Sequence, residues 1–208
     1  MNAPMFSATY LFVRGRQLEG TYPGDRTTGI WPITALRIGR GWGIVPDEAW
    51  KRDDSDWPPQ EPPGLDGLAS SNRYIRYQRV RSLGECKVVL ARLKVPVLGS
   101  FVISEAWFNA PDGRIPWASE SDEAIGAHSV LLVGYDDNTE ELKFQNSWGS
   151  SWGDRGFGYL PYKLFNSTGT EAWMEDLLES RPRTGSGTAA VMGCTRTRRR
   201  SPSLSRIR

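Results

Sequence analysis

Apolar and aromatic residues in the first part of the chain recur at helical spacing. They predict one helix over residues 5–20 and a second, shorter helix from Pro32 to Arg40. A segment rich in Gly, Thr and Pro, residues 21–32, predicts a loop between them. Four prolines and clustered acidic residues predict a second, exposed loop over residues 51–67.

The pattern then changes to the alternation of polar and apolar residues that is typical of strands. Residues 73–81 alternate in this way, and Ser82 with Glu85 forms a capping box that predicts a helix over Leu83–Lys94. Four further strands are predicted at Val97–Ile103, Ser129–Tyr135, Leu142–Gln145 and Gly156–Leu160. Helices come first and strands follow, which favours an α+β domain.

Charge divides the chain into two parts. Residues 181–208 contain eight arginines and no acidic residue, so the chain before them carries 18 basic side chains (26 − 8) against 24 acidic ones. A length of 208 residues suits one domain with a tail. We therefore predict a domain over residues 1–178 and a disordered tail, rich in Arg and Ser, over residues 179–208.

Several function classes find no support in the composition. The N-terminus has neither the positively charged first residues nor the apolar run of a signal peptide. No segment is long and apolar enough to span a membrane. We expect a protein that is cytoplasmic by default. The sequence offers no His/Cys cluster, so neither a metal nor another cofactor is expected. The arginine tail could contact phosphates, but it has no interleaved aromatic residues, and nucleic-acid binding is not expected.

Two segments carry the candidate chemistry. His128, the single histidine, lies in GAHSVLLVGYDD, and Asn146 follows it at the start of NSWGSSWGDRGFGYLPY. Together these segments, at this spacing, resemble the papain family of cysteine peptidases, particularly its bacterial branch. The resemblance implies a papain-like α+β fold over about residues 6–176 and hydrolysis of peptide bonds in peptide or protein substrates.

The resemblance also implies a role for each residue of the motif. His128 is expected to act as base and acid, because an imidazole beside a cysteine thiol takes its proton and leaves a nucleophilic thiolate. Asn146 is expected to orient the imidazole, and Trp148 to shield their hydrogen bond from water. Ser147 and Gly149 are expected to support the same loop.

The substrate-binding residues are likewise implied by the resemblance. One wall of the cleft would contain Gly29, Ile30, Trp31 and Pro32, and the other Gly126 and Ala127. Trp31 and Pro32 are equally compatible with ordinary packing.

The nucleophile of the family has no counterpart in this sequence. In the family, a glutamine and the catalytic cysteine lie at the start of a long central helix, whereas FSATYLFVRGRQLEG already resembles the element that follows it. The N-terminal part of the fold is therefore expected to be missing. Cys86 shares a helix face with Leu83, Leu90 and Leu93, so it is expected to be a buried filler. Cys194 lies in the predicted tail.

Three functions remain open. The first is a papain-like peptidase whose glutamine and cysteine are encoded upstream of this chain. The second is a pseudoenzyme that binds peptides or a protein without cutting them. The third is a related acyl transfer that uses a cysteine and helix supplied by a second chain, because fold alone does not separate these chemistries.

Overall fold

The computed structural model describes residues 5–52, 56–116, 123–177 and 196–197. Helices occupy the first part of the chain and one antiparallel sheet occupies most of the second, which confirms the α+β prediction. None of the described helices is long and apolar enough to cross a membrane. The predicted tail lies outside the described residues except for Arg196–Thr197, and its disorder stays a prediction.

Three α-helices lie in the described residues of the N-terminal part. Helix α1 covers Ala8–Leu18, α2 covers Pro32–Gly41 and α3 covers Leu65–Ala69. The Ser7 hydroxyl caps α1 by accepting a hydrogen bond from the Tyr10 N–H at 3.0 Å. The first two helices match the prediction, but α3 begins inside the segment predicted as a loop. Its apolar residues Leu65 and Ala69 are buried, so tertiary packing orders this short turn.

Seven strands form the sheet. They are β1 (Tyr74–Arg79), β2 (Val97–Ile103), β3 (Gly126–Asp136), β4 (Glu141–Gln145), β5 (Phe157–Pro161), β6 (Gly169–Leu177) and β7 (Arg196–Thr197). Their order is β1-β6-β2-β3-β4-β5, and β7 pairs with β3 at Gly126 and Ala127. The structure starts β3 at Gly126, earlier than the predicted Ser129, because Gly126 to Ser129 pair with the end of β2.

The sequence prediction missed two elements near the C-terminal end of the sheet. Helix α5 covers Tyr162–Ser167, and β6 follows it directly. β6 lies between β1 and β2 and forms ladders with both, so pairing on two edges stabilises a segment whose own pattern is weak.

Helix α4 (Leu83–Val88) begins at its predicted cap and continues as a π-helical turn over Val89–Leu93. The Ser82 hydroxyl accepts a hydrogen bond from the Glu85 N–H at 3.1 Å. A π turn places more residues in each turn and so rotates the side chains that follow it. Cys86 and Leu90 are buried as expected, whereas Leu93 is 54% exposed, and its predicted burial was wrong.

Candidate active site

His128 is held on the inner face of the sheet. It lies in β3 opposite Phe101 of β2, and its side chain is fully buried. The indole of Trp107 meets the imidazole edge-on, with 6.4 Å between ring centroids. The apolar run that follows His128 forms the buried strand, so the strand itself fixes where the imidazole points.

Asn146 reaches His128 through a hairpin. β3 runs outward from His128, and β4 returns antiparallel to it, with Leu131 opposite Gln145. Asn146 is the residue after β4, and its N–H donates to the Gly156 carbonyl at 2.8 Å. The spacing between the two motifs is therefore the length of a hairpin that brings both side chains to one end of the sheet.

Two donors converge on the side-chain oxygen of Asn146. The Ser147 N–H donates to Asn146 Oδ1 at 2.8 Å, and His128 Nε2 lies 2.8 Å from the same oxygen. Because this oxygen only accepts, Nε2 carries the proton in the neutral ring and Nδ1 carries the free lone pair. Nδ1 is buried and has no hydrogen-bond partner among the described residues. The arrangement gives a buried basic nitrogen on the side of the ring away from Asn146.

An aromatic stack covers the pair. The Trp148 ring lies 4.7 Å from the His128 ring at an interplanar angle of 22°, and Phe108 stacks on the other side of Trp148 at 4.8 Å. Trp152 meets Trp148 edge-on and donates from Nε1 to the Trp107 carbonyl at 3.1 Å. The rings thus pack against a buried His128–Asn146 pair, and shielding of their hydrogen bond from water by Trp148 stays a prediction.

Glycines shape the loop that carries the two tryptophans. Gly149 has a φ of +89°, a conformation that other residues seldom adopt. Gly153 has a φ of +55°, and a Cβ there would lie 2.6 Å from the Phe157 carbonyl oxygen. The loop therefore favours glycine at residue 149 for its backbone conformation and at residue 153 also for the close approach of the Phe157 backbone.

Burial sets the protonation state of the imidazole. It lowers the pKa of His128 below its usual range, while the hydrogen bond to Asn146 opposes this effect. The ring is consequently neutral at pH 7, with Nδ1 available as a base.

The predicted substrate walls lie in different parts of the fold. Gly126 and Ala127 directly precede His128 in β3, where Arg196–Thr197 pairs with them. In the helical part, Gly29 is buried, and Ile30 packs so closely on α1 that a Cβ at Gly15 would lie 2.7 Å from it. Trp31 is 55% exposed at the start of α2, where Pro32 is the first helical residue. Their role in binding substrate stays a prediction.

The one cysteine among the described residues, Cys86, supplies no nucleophile to this site. Cys86 is fully buried in the core beneath the sheet, and burial raises the pKa of its thiol to about 12. It therefore remains a thiol at neutral pH and is closed to substrate. Cys194 lies outside the described residues.

Sequence reasoning missed the aromatic neighbours Trp107 and Phe108. They occur in a short 3-10 turn and the residue after it, and the only sequence signal is a pair of adjacent aromatic residues upstream of the histidine. Periodicity assigns no face to residues in a turn, so their contacts become visible only in the structure.

Comparison with known proteins agrees with this arrangement. Residues 71–173 match the model of the papain family of cysteine proteases. An uncharacterized peptidase C1-like protein of Acanthamoeba polyphaga mimivirus is 25% identical over 173 residues, which is 78% of this chain and 55% of the viral protein. The gamete and mating-type specific protein A of Dictyostelium discoideum is 60% identical over 30 residues, 14% of this chain and 7% of that protein. The chain thus spans about half of the viral relative and a small part of the other.

Solved structures show the same fold. Xylellain, a cysteine protease from Xylella fastidiosa, superposes with a TM-score of 0.75 at 22% identity over 84% of this chain and 70% of its own. A procathepsin B from Trypanosoma congolense gives a TM-score of 0.60 at 17% identity, over 84% of this chain and 61% of its own. These structures show the fold, and the matching family model together with the viral relative shows that the chain belongs to the papain family of cysteine proteases.

Proposed function

We propose that this chain carries the acid–base half of a cysteine peptidase site, in which a thiol from a segment outside this sequence completes a Cys-His-Asn arrangement. The observation that carries the proposal is the buried, unpartnered Nδ1 of His128, with Nε2 already bound to Asn146. A buried polar atom without a partner costs about 1–3 kcal/mol, so its retention favours a functional role.

The chemistry follows from the tautomer. Nδ1 takes the proton of the incoming thiol, and the thiolate attacks the carbonyl carbon of the scissile peptide bond. The tetrahedral intermediate collapses as the imidazolium gives that proton to the leaving amine, which forms a thioester. His128 then takes a proton from water as the oxygen attacks the thioester carbonyl; the C–S bond breaks, the carboxylic acid product leaves, and the imidazolium returns its proton to the thiolate. Throughout, Asn146 Oδ1 holds the ring through Nε2 and stabilises the imidazolium.

The walls of the cleft form part of the same proposal. Gly126 and Ala127 directly precede the base in β3, and their outer edge pairs with Arg196–Thr197. A peptide backbone that took the place of Arg196–Thr197 along that edge would bring its scissile carbonyl near His128. Gly29, Ile30, Trp31 and Pro32 would face them and hold the substrate side chains. Exposure of the Trp31 indole supports this role for the second wall.

Intact mass and labelling of the protein from its natural host test the proposal. A mass well above 23.3 kDa, with a peptide-epoxide reagent bound to a cysteine upstream of residue 1, is the expected result. The matched variants His128→Ala and Asn138→Ala of that longer product then separate chemistry from folding. His128→Ala should abolish hydrolysis of a fluorogenic peptide, whereas Asn138→Ala, in an exposed turn, should leave it intact. Hydrolysis by the His128→Ala protein would refute the assignment.

A pseudoenzyme is the second candidate, and the state of Cys86 favours it. The described residues hold this one cysteine, and it is buried with a pKa of about 12. A natural mass equal to 23.3 kDa, together with binding of peptides that stay uncut, would establish the pseudoenzyme. Transfer of the peptide acyl group to an added amine, after mixing with a second, cysteine-bearing chain, would instead indicate acyl transfer across two chains.

A further inference from the structure

Strand β1 forms one end of the sheet and is unusually basic. It is the first strand in the sheet order, so one of its edges has no strand partner among the described residues. Residues 73–81 contain four arginines and no acidic residue, although the chain before residue 181 carries 18 basic side chains against 24 acidic ones. This segment therefore carries a net positive charge, whereas the domain as a whole carries a net negative one.

The register of the sheet identifies the backbone groups that face the open edge. The Val80 N–H donates to the Ala172 carbonyl on β6 at 2.8 Å, and Gln78 lies opposite Met174. Since backbone groups alternate between the two edges of a strand, those of Tyr77 and Arg79 point away from β6. They offer donors and acceptors that a further strand could pair with.

A cleft of about 370 Å³ adjoins the end of β1. One wall consists of Arg79, Val80 and Arg81, and the rings of Phe101 and Phe165 line its interior. Glu171 also lines the cleft, but its carboxylate accepts a hydrogen bond from Trp173 Nε1 at 2.7 Å. The lining residues on β6 and β2 place this cleft on the side of β1 away from its open edge, whereas Arg79 and Arg81 themselves are exposed.

We propose that the open edge of β1 binds an extended, acidic segment of a partner protein. The segment would add a strand beside Tyr77 and Arg79 and set its carboxylates against the exposed Arg79 and Arg81. A second copy of this chain is a poor occupant, because pairing two β1 edges would bring the two arginine rows together. The surface is separate from the His128 site, so the inference goes beyond the proposed function.

The direct test uses a defined probe and the full chain. A fluorescent peptide of sequence Glu-Val-Asp-Val-Phe-Glu is titrated with the protein at low salt, and binding is followed by fluorescence anisotropy. We expect saturable binding that weakens as salt is added. The same peptide with N-methyl groups on alternate residues, which cannot form the ladder, should bind at least about tenfold more weakly.

Charge-reversed variants locate the site. Arg79→Glu with Arg81→Glu should weaken binding at least about tenfold, whereas the matched control Arg92→Glu with Lys94→Glu should leave it unchanged. Arg92 and Lys94 are exposed and lie at the far end of the π-helical turn that follows α4. Each pair replaces two basic side chains by two glutamates, so both variants change the net charge equally. The N-methyl comparison uses the unaltered chain and stays decisive if the β1 variant does not fold.

Three results would overturn the proposal. Absence of binding at millimolar peptide would mean that the arginines only block unwanted strand pairing. Equal losses in both charge-reversed pairs would mean nonspecific attraction. Slow hydrogen exchange at the Tyr77 and Arg79 amides in the free chain would mean that another segment of this chain already covers the edge.

Discussion

Replacing Asn146 by Ala tests whether the amide holds the imidazole in place. The substitution removes the oxygen that accepts from both His128 Nε2 and the Ser147 N–H. Since His128 is fully buried beneath Trp148, the Nε2–H is left without a partner in an apolar setting. Leaving one such donor unsatisfied costs about 1–3 kcal/mol, and the free energy of unfolding should fall by that amount.

The same substitution should lower the pKa of His128 further. In the wild type, burial lowers this pKa and the bond to Asn146 partly restores it. Without the amide oxygen the imidazolium loses its acceptor, so the neutral form is favoured even more. The unfolded chain takes up a proton near pH 6.5 and the folded chain only at lower pH. Stability contributed by the neutral ring is therefore present above pH 6.5 and lost as the pH falls through the folded pKa, and the variant should lose more of it than the wild type.

Because the chain contains a single histidine, the imidazole signals in an NMR titration belong to His128 alone. The ring C–H signals of His128 are followed by NMR through a pH titration, and urea unfolding at pH 7 gives the free energy. Asn138→Ala is the matched control, because Asn138 lies in an exposed turn and, among the described residues, its side chain bonds to Asp136 nearby. If Asn146→Ala left both the pKa of His128 and the unfolding energy at their wild-type values, the inferred tautomer and its support would be wrong.

Three further perturbations probe the surroundings. Burial raises the pKa of Glu175 to about 7 from its usual 4.5, so its contribution to stability is fully present below pH 4.5 and is lost as the pH rises through 7. Glu175→Gln should abolish that loss in urea titrations between these pH values. A Cβ at Gly158 would lie 2.3 Å from the buried Phe144 ring, so Gly158→Ala should destabilise the fold by about 1–3 kcal/mol in thermal unfolding. Gly134→Ala, which meets nothing closer than 3.9 Å, should be nearly neutral. Native Cys86 should resist thiol reagents and react only after unfolding, as peptide mass spectrometry would measure, because it is buried with a pKa of about 12.

Much of the fold could be predicted because local signals agree with tertiary structure there. The Ser82 cap fixes where α4 begins, and the alternation in Leu142–Gln145 matches β4 to within one residue. By contrast, β6 is stabilised by pairing with its two neighbouring strands, β1 and β2, and its own sequence does not predict it. The exposure of Leu93 follows from a π turn, which has no sequence signature. Elements set by pairing or by a change of helical phase are beyond single-sequence patterns.

Sequence reasoning identified the polar pair of the candidate site but not its aromatic cover. His128 and Asn146 are fixed by motifs whose spacing equals a hairpin, so their meeting could be expected. Phe108 contacts Trp148 from a 3-10 turn much earlier in the chain, where no periodicity indicates which way a side chain points. The residues of a sequence motif can therefore be identified from the sequence, whereas the side chains that pack around them depend on the rest of the fold.

The imidazole is oriented without any help from a nucleophile. Its Nε2 is bound to Asn146, its ring is held by Trp148 and Trp107, and the amide itself is fixed by the Ser147 N–H. None of these contacts involves a thiol, so the ring needs no reorganisation when one arrives. The one unsatisfied atom of the ring, Nδ1, is the atom that a thiol would have to meet. A base fixed in advance, with its lone pair kept from water, is what electrostatic preorganisation requires, and it would serve a thiol from the same chain or from another equally well.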